Sequence, residues 1–331
     1  MADVEKYFEQ FHEAIRTDYD MDEKLREKRD IILDKVRKKL KEKERPSFKE
    51  LHQGSYAQDL RTGVKPIEDL RYDIDIGLRF QIEEGDYTAK EVRSWVWQAV
   101  EDHTADVQDK GPCIRVIYAD GYHVDLVSYS WWTDDLNQEQ YRLAHKTNGW
   151  RNADPPRLLD FIKQARTPFQ NTEDSATKTD QFRRVVRHLK RWDDERIPKE
   201  SDAKPSGLAF TLLCQRALLP SLNWAGKPDD RMALQSISHH ASSLPGRIIV
   251  QKPTPEYEDV FGKLSDKEME ELKERFSKVH EVLLYAEQEP DPVKACEELR
   301  KIFGRDFPVP KPEDTGRKTA APAIVTSSSS A

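Results

Sequence analysis

Tyr72, Ile74, Ile76, Leu78 and Phe80 alternate with Asp73, Asp75, Gly77 and Arg79, the period-two pattern of a strand with one buried face. Both aspartates then lie on the opposite face, with Cα atoms roughly 6.5 to 7 Å apart at the strand rise per residue. Upstream the period lengthens to that of helices. Val4, Tyr7, Phe8, Phe11 and Ile15 make a stripe over about residues 3–19, and Leu25, Ile32, Val36 and Leu40 make another over about 22–44, with Lys and Glu opposite and Pro46 beyond. Residues 47–53 read as a short strand, followed by Gly54-Ser55-Tyr56 and a helical turn to about Arg61. After the turn at Glu83-Glu84-Gly85, Tyr87 to His103 is a helix with Val92, Trp95, Val96 and Val100 inward. Cys113 to Tyr118 and Tyr122 to Tyr129 are strands separated by Asp120-Gly121, a strong hairpin signal.

The second half reads as helical. Phe182, Val185, Val186, Leu189 and Trp192 form one stripe, Ser206 stands as an N-cap candidate before a nearly all-apolar helix, and Ser265 to Ala286 and Pro292 to Phe303 follow. From Pro308 onward the composition turns to Pro, Lys, Thr, Ala and Ser, which cannot support a core and is expected to be disordered.

With 331 residues the chain can bury a sizeable core, while 35% charged residues and a mean hydropathy of -0.85 put much charge on a solvated surface. No stretch approaches the roughly 18 to 20 apolar residues of a membrane span and the N-terminus lacks a signal-peptide core, so the expected location is the cytoplasm, with no membrane partner. A formal net charge of -7 argues against broad nucleic-acid binding. Cys113, Cys214 and Cys296 read as reduced core residues, and His239-His240 as part of a surface loop.

Candidate chemistry starts from the two aspartates. Carboxylates that close repel unless a proton or a cation intervenes, and Mg²⁺ is the cation that prefers carboxylate and phosphate oxygens. A lone Asp-x-Asp is more often a polar strand face. Two further features favour a site. Glycine at Gly54 lets the backbone approach a phosphate, with Ser55 adding a hydroxyl donor. A hairpin beside the first strand also brings Asp125 to the same sheet face. Asp73 and Asp75 would then hold a metal on the triphosphate of a nucleotide, and all three would hold a second metal on the attacking hydroxyl.

On Gly54-Ser55-Tyr56, Asp73-Ile-Asp75 and Asp125 within His-Val-Asp-Leu-Val, the chain resembles nucleotidyltransferases of DNA polymerase beta type. More narrowly, it resembles the CD-NTases, the bacterial relatives of cyclic GMP-AMP synthase and oligoadenylate synthase. Asn148 to Pro155 is similar to that family's Trp-to-Pro segment, Arg183 to Trp192 to its basic helix, and Lys204 to Leu213 to the helix after it. Gln58-Asp59-Leu60 departs from the Gly-Thr often found shortly after Gly-Ser.

The resemblance implies an α+β fold: a polymerase-beta-like nucleotidyltransferase core with a mixed sheet, a long N-terminal spine helix and a C-terminal helical lobe, bilobed overall. The expected division is 1–155 for the core with its N-terminal helices, 156–307 for the helical lobe completing the nucleotide cleft, and 308–331 for the tail. By resemblance the catalytic and metal-binding residues are Asp73, Asp75 and Asp125, with two Mg²⁺ or Mn²⁺ ions, and the nucleotide-binding residues are Gly54, Ser55, Lys190 and Ser206. Arg183, Arg187, Lys190 and Arg191 share a helix face that either clamps a triphosphate or is simply solvated, and Ser206 is either a cap alone or a neighbour of the donor nucleotide.

The implied activity is condensation of NTPs, ATP among them, into a cyclic di- or trinucleotide second messenger for anti-phage (CBASS-type) signalling. The alternative is addition of nucleotides to an RNA or other acceptor. Implied partners are an E1/E2-like protein acting on the tail at Ala331 and a peptide-binding activator.

Overall fold

Asp73–Gln81 form the central strand β2 of a seven-stranded mixed sheet. The computed structural model describes residues 3–17, 19–57, 60–67, 73–197 and 204–312. Arg71, Tyr72, Gln58, Asp59 and the tail from 313 to Ala331 lie outside them, as do the side chains of Leu25 and Asp73. Ile74, Ile76, Leu78 and Phe80 are buried, as the alternation predicts.

Two helices open the chain, α1 (Glu5–Ile15) and α2 (Tyr19–Glu42), before β1 (Phe48–Gln53), a 3-10 turn at Gly54–Tyr56 and β2. The helical turn expected to about Arg61 passes through Gln58 and Asp59, outside the described residues; Leu60 and Arg61 both donate their N–H to the Ala57 carbonyl, at 2.8 and 3.1 Å. Next come α3 (Ala89–Val100), β3 (Asp106–Asp109), β4 (Ile114–Ile117) and β5 (His123–Thr133). Strands β6 (Glu139–His145) and β7 (Gly149–Ala153) complete the sheet. A helical half follows: α4 (Pro155–Ala165), α5 (Gln181–Asp194), α6 (Gly207–Ala217), α7 (Asp230–Ser243), α8 (Asp266–Gln288) and α9 (Pro292–Phe303).

Three strands carry no clean alternation. In β6 the buried positions are Tyr141 and Ala144, three apart, and β7 and β3 are five and four residues long. The His239-His240 reading is corrected: both belong to α7, and the His239 ring lies 4.8 Å from that of His280 on α8. Burial of Ile237 and Ala241 in the helix core fixes the intervening pair as helical.

Strand order is β1-β2-β5-β4-β3, with β6 continuing along the edge of β5 beyond β4 and β7 beside β6. The β2–β5 pair is parallel and the others antiparallel. Hydrophobic residues of β2 and β5 pack against Val92, Trp95 and Val96 of α3 and Ile32, Val36 and Leu40 of α2, each such burial contributing about 1.5 to 3 kcal/mol before entropy is counted. A larger cluster joins α1 to α5–α9, with Phe8 and Phe11 ringed by His188, Phe303 and Phe307. Thus α1 packs with the helical half and α2 with the sheet. The sheet's other face, left free by α2 and α3, turns toward the helical half and forms one wall of a cleft.

Helix starts are chemically explicit. Thr88 with Glu91 and Ser265 with Glu268 form capping boxes on α3 and α8, while Asp154, Asp180, Asp229 and Asp291 cap α4, α5, α7 and α9. The three cysteines are buried and free. Among the described residues no helix is long and apolar enough to cross a membrane.

Candidate active site

Strand register assembles the site. Gln53 of β1 is opposite Asp75 of β2, Asp75 is opposite Asp125 of β5, and Asp125 is opposite Arg115 of β4. Residues in one such row share a sheet face, and Gln53, Asp75 and Asp125 all line the cleft. Asp73 begins β2 with His123 as its neighbour on β5, two positions along from Asp75.

Gly54 follows Gln53 at φ 70°, a left-handed conformation that favours glycine. A Cβ there would stand 2.1 Å from Asp75 Oδ2. The turn and the carboxylate are therefore in direct contact, and no larger residue fits between them.

Asp125 is 5% exposed and is held by Arg115, whose Nε donates to Oδ1 at 2.8 Å and Nη2 to Oδ2 at 2.7 Å. This bidentate bond fixes the carboxylate plane. Beside it lies Cys113, whose thiol burial and the Asp125 charge push well above its ordinary pKa, so it stays protonated and hydrogen-bonds Asp125. Behind Gln53, the buried Tyr129 hydroxyl, also pushed upward by burial, donates to Gln53 Oε1 at 3.1 Å.

Across the cleft, Lys190 of α5 donates from Nζ to the Thr62 carbonyl at 3.1 Å and to Thr62 Oγ1 at 3.0 Å. Thr62 in turn donates its backbone N–H to the Ser55 carbonyl at 3.1 Å. Ser206 caps α6, its Oγ accepting from Ala209 N at 3.3 Å, and a Cβ on neighbouring Gly207 would lie 3.0 Å from Lys190 Cε. Gly54, Ser55, Asp75, Asp125, Lys190 and Ser206 thus line one cleft of about 1410 Å³.

The basic face of α5 is neither a solvated surface nor a clamp of four cations. Arg183 bonds its own helix cap Asp180 at 2.9 Å, Arg187 bonds the Gly63 carbonyl at 3.1 Å, and Arg191 bonds the Lys65 carbonyl at 2.7 Å. All three are buried, and of the four cations Lys190 is the one that lines the cleft. Arg115, Gln53, Cys113 and Tyr129 escaped the sequence reading. The alternation of Ile114 and Val116 is the signal that could place Arg115 on the outward face, but only strand pairing shows what lies opposite.

Carboxylate oxygens facing a cleft are the donor set of a hard divalent cation. Asp75 and Asp125 supply it here, both lining the cleft. Among the described residues no group of three His, Cys, Asp or Glu side chains is placed to hold a metal ion; the Asp73 carboxylate is not among those described.

Residues 46–129 match the family model of the nucleotidyltransferase domain of DncV-like cyclic GMP-AMP synthases. In sequence this stretch is similar to that domain. It spans β1 to the middle of β5 and so holds the whole row from Gln53 to Arg115. The structure is similar to that of the Vibrio cholerae DncV cyclic AMP-GMP synthase, described as a prokaryotic cGAS homolog, at TM-score 0.73 and 16% identity over 92% of this chain and 97% of that one. It is also similar to CdnC of E. coli MS115-1 with ATP, at TM-score 0.67 and 16% identity over 92% and 98% of the two chains. The same protein in complex with HORMA-deltaN gives TM-score 0.66 at 15% identity over 92% and 98%. The fold therefore extends through the helical half, and the resemblance to the CD-NTases and the nucleotidyltransferase class read from the motifs are borne out.

Proposed function

We propose that the chain condenses nucleoside triphosphates, ATP among them, into a cyclic di- or trinucleotide, releasing pyrophosphate with each bond. The observation that carries this reading is the in-register Asp75–Asp125 pair facing the Gly54-Ser55 turn and Lys190 across one cleft. At about 1410 Å³ that cleft exceeds the roughly 300 to 1,000 Å³ of a pocket for one drug-sized ligand, which favours two nucleotides over one.

In this mechanism the 3′-hydroxyl of one nucleotide attacks the α-phosphorus of the next, the new P–O bond forming as the bond to pyrophosphate breaks. Gly54 lets the backbone close on the phosphates and the Ser55 hydroxyl donates to them. Lys190 exchanges its bonds to Thr62 for the phosphate tail, and Ser206 adds a hydroxyl at the same wall. Asp73, Asp75 and Asp125 would hold two divalent cations, Mg²⁺ or Mn²⁺, whose bound charge would lower the pKa of the attacking hydroxyl and offset charge on the leaving group. Arg115 and Cys113 keep the Asp125 carboxylate oriented while the substrates exchange.

The division into a core at 1–155, a helical lobe at 156–307 and a tail at 308–331 goes with this reading, and so does a cytoplasmic location. The product would act as a second messenger in anti-phage (CBASS-type) defence. The complex of CdnC with HORMA-deltaN supports a protein partner for this chain too; by this reading it would be a peptide-binding activator, and the tail ending at Ala331 would be the point where an E1/E2-like partner joins it.

The test is incubation of the purified chain with all four NTPs and Mg²⁺ or Mn²⁺ beside an Asp75→Asn control, then phosphatase treatment and mass spectrometry. A phosphatase-resistant cyclic oligonucleotide absent from the control is expected. Extension of an added RNA without any cyclic product would establish the acceptor-transfer activity instead.

A further inference from the structure

The loop from Arg61 to Lys65, between the phosphate turn and the aspartate strand, touches the helical half. Its carbonyls are held by α5. Arg187 Nε donates to the Gly63 carbonyl at 3.1 Å and its Nη2 to the Arg61 carbonyl. Its remaining arm, Nη1, meets His12 Nε2 of α1 at 2.6 Å. Burial and then the Arg187 charge hold His12 well below its ordinary pKa, so the ring is neutral and Nε2 accepts. A planar fork with donors at fixed angles can make these three bonds at once, and an ammonium cannot.

What the fork holds lies against the phosphate turn. Between the two carbonyls taken by Arg187, Thr62 donates its N–H to the Ser55 carbonyl at 3.1 Å, and a Cβ on Gly63 would stand 4.0 Å from Ser55 Oγ. Arg187 is 5% exposed and does not line the cleft. From α1 through α5 to Ser55, the chain of contacts is continuous.

We infer that Arg187 is a positioning residue which sets the Gly54-Ser55 turn through the Arg61–Gly63 carbonyls, with His12 orienting its fork; the inference rests on the nucleotide-binding reading of that turn. The turn meets the phosphates in the ground state and the transition state alike, whereas the adjacency of Asp75 and Asp125 is set by the β2–β5 register. Loosening the loop therefore weakens binding more than turnover. A defect that merely unfolds part of the sample does the reverse, lowering kcat at unchanged KM.

The test is Arg187→Lys in the full chain, with initial-rate kinetics on NTPs and hydrogen exchange of the Arg61 and Thr62 amides, bonded in the wild type to the Ala57 and Ser55 carbonyls. The expected result is a KM raised about tenfold with kcat within about threefold, and faster exchange at Thr62 with protection of α5 and β2 unchanged. Should that variant not fold, His12→Leu is read in the same way, with about a threefold rise in KM expected from the lost orienting acceptor. Unchanged KM, a fall in kcat alone, or a raised KM without faster exchange at Thr62 would each overturn the inference. If the wild type forms no oligonucleotide, the functional reading fails, and the exchange measurement by itself decides whether Arg187 holds the loop.

Discussion

Gly54→Ala tests the site where its geometry is tightest. Two costs arise, and a second glycine separates them. The first is backbone strain: a non-glycine residue at φ 70° costs roughly 1 to 2 kcal/mol. In a domain of this size that corresponds to a fall in melting temperature of about 2 to 8 °C. The second is contact. The new Cβ would lie 2.1 Å from Asp75 Oδ2, against a normal separation of about 3.2 Å, so the carboxylate must retreat by about 1 Å. A misplacement of that size at a reacting centre costs on the order of 100-fold in rate. Gly149→Ala carries the same strain at φ 65° with nothing within 4 Å of the new Cβ. Pyrophosphate release and thermal melting should therefore show both variants destabilised alike, with activity lost in Gly54→Ala and kept in Gly149→Ala. Equal activity in the two would refute the contact between turn and carboxylate as a catalytic requirement.

Arg115→Leu leaves the buried Asp125 carboxylate without its bidentate partner. Its melting temperature should rise more steeply with added Mg²⁺ or Mn²⁺ than that of the wild type; an identical metal response would argue that Asp125 takes no part in metal binding. His188, fully buried between Phe8 and Phe11, is lowered from 6.5 to about 4, by burial first. Because the unfolded chain takes up this proton more readily, stability is full above pH 6.5 and is lost as pH falls toward 4. Urea unfolding should show about 2 kcal/mol less stability at pH 5 than at pH 7 from this group, a difference that His188→Leu removes; an unaltered pH slope in the variant would contradict it. Ser206→Gly keeps most of the helix cap, since glycine costs only a few tenths of a kcal/mol there, but deletes the hydroxyl. A KM for NTP raised several-fold at unchanged melting temperature is expected, and an unchanged KM would leave Ser206 as a cap alone.

Local pattern accounts for much of this protein because periodicity is a property of neighbours along the chain. The alternation through Ile74, Ile76, Leu78 and Phe80 dictates a strand and the face its aspartates occupy, and the stripes of α1, α2 and α5 dictate helices whose described stripe residues are buried. The Asp120-Gly121 turn likewise determines that β4 and β5 pair. Strands β6 and β7 were not legible because each is half-buried on both sides, so no alternation marks it.

What tertiary structure decided is which residues meet. A strand's side-chain period says which face Asp75 and Asp125 occupy, but their adjacency depends on β2 and β5 pairing in parallel at one register. The fate of the α5 cations shows the same limit. A row of Arg and Lys on a helix reads as solvated or ligand-binding, yet Arg187 and Lys190 are buried because carbonyls and a hydroxyl 124 to 128 residues away satisfy them. Sequence periodicity encodes burial of apolar side chains, which is non-directional; the partners of buried polar groups are directional and non-local, and only the folded chain supplies them.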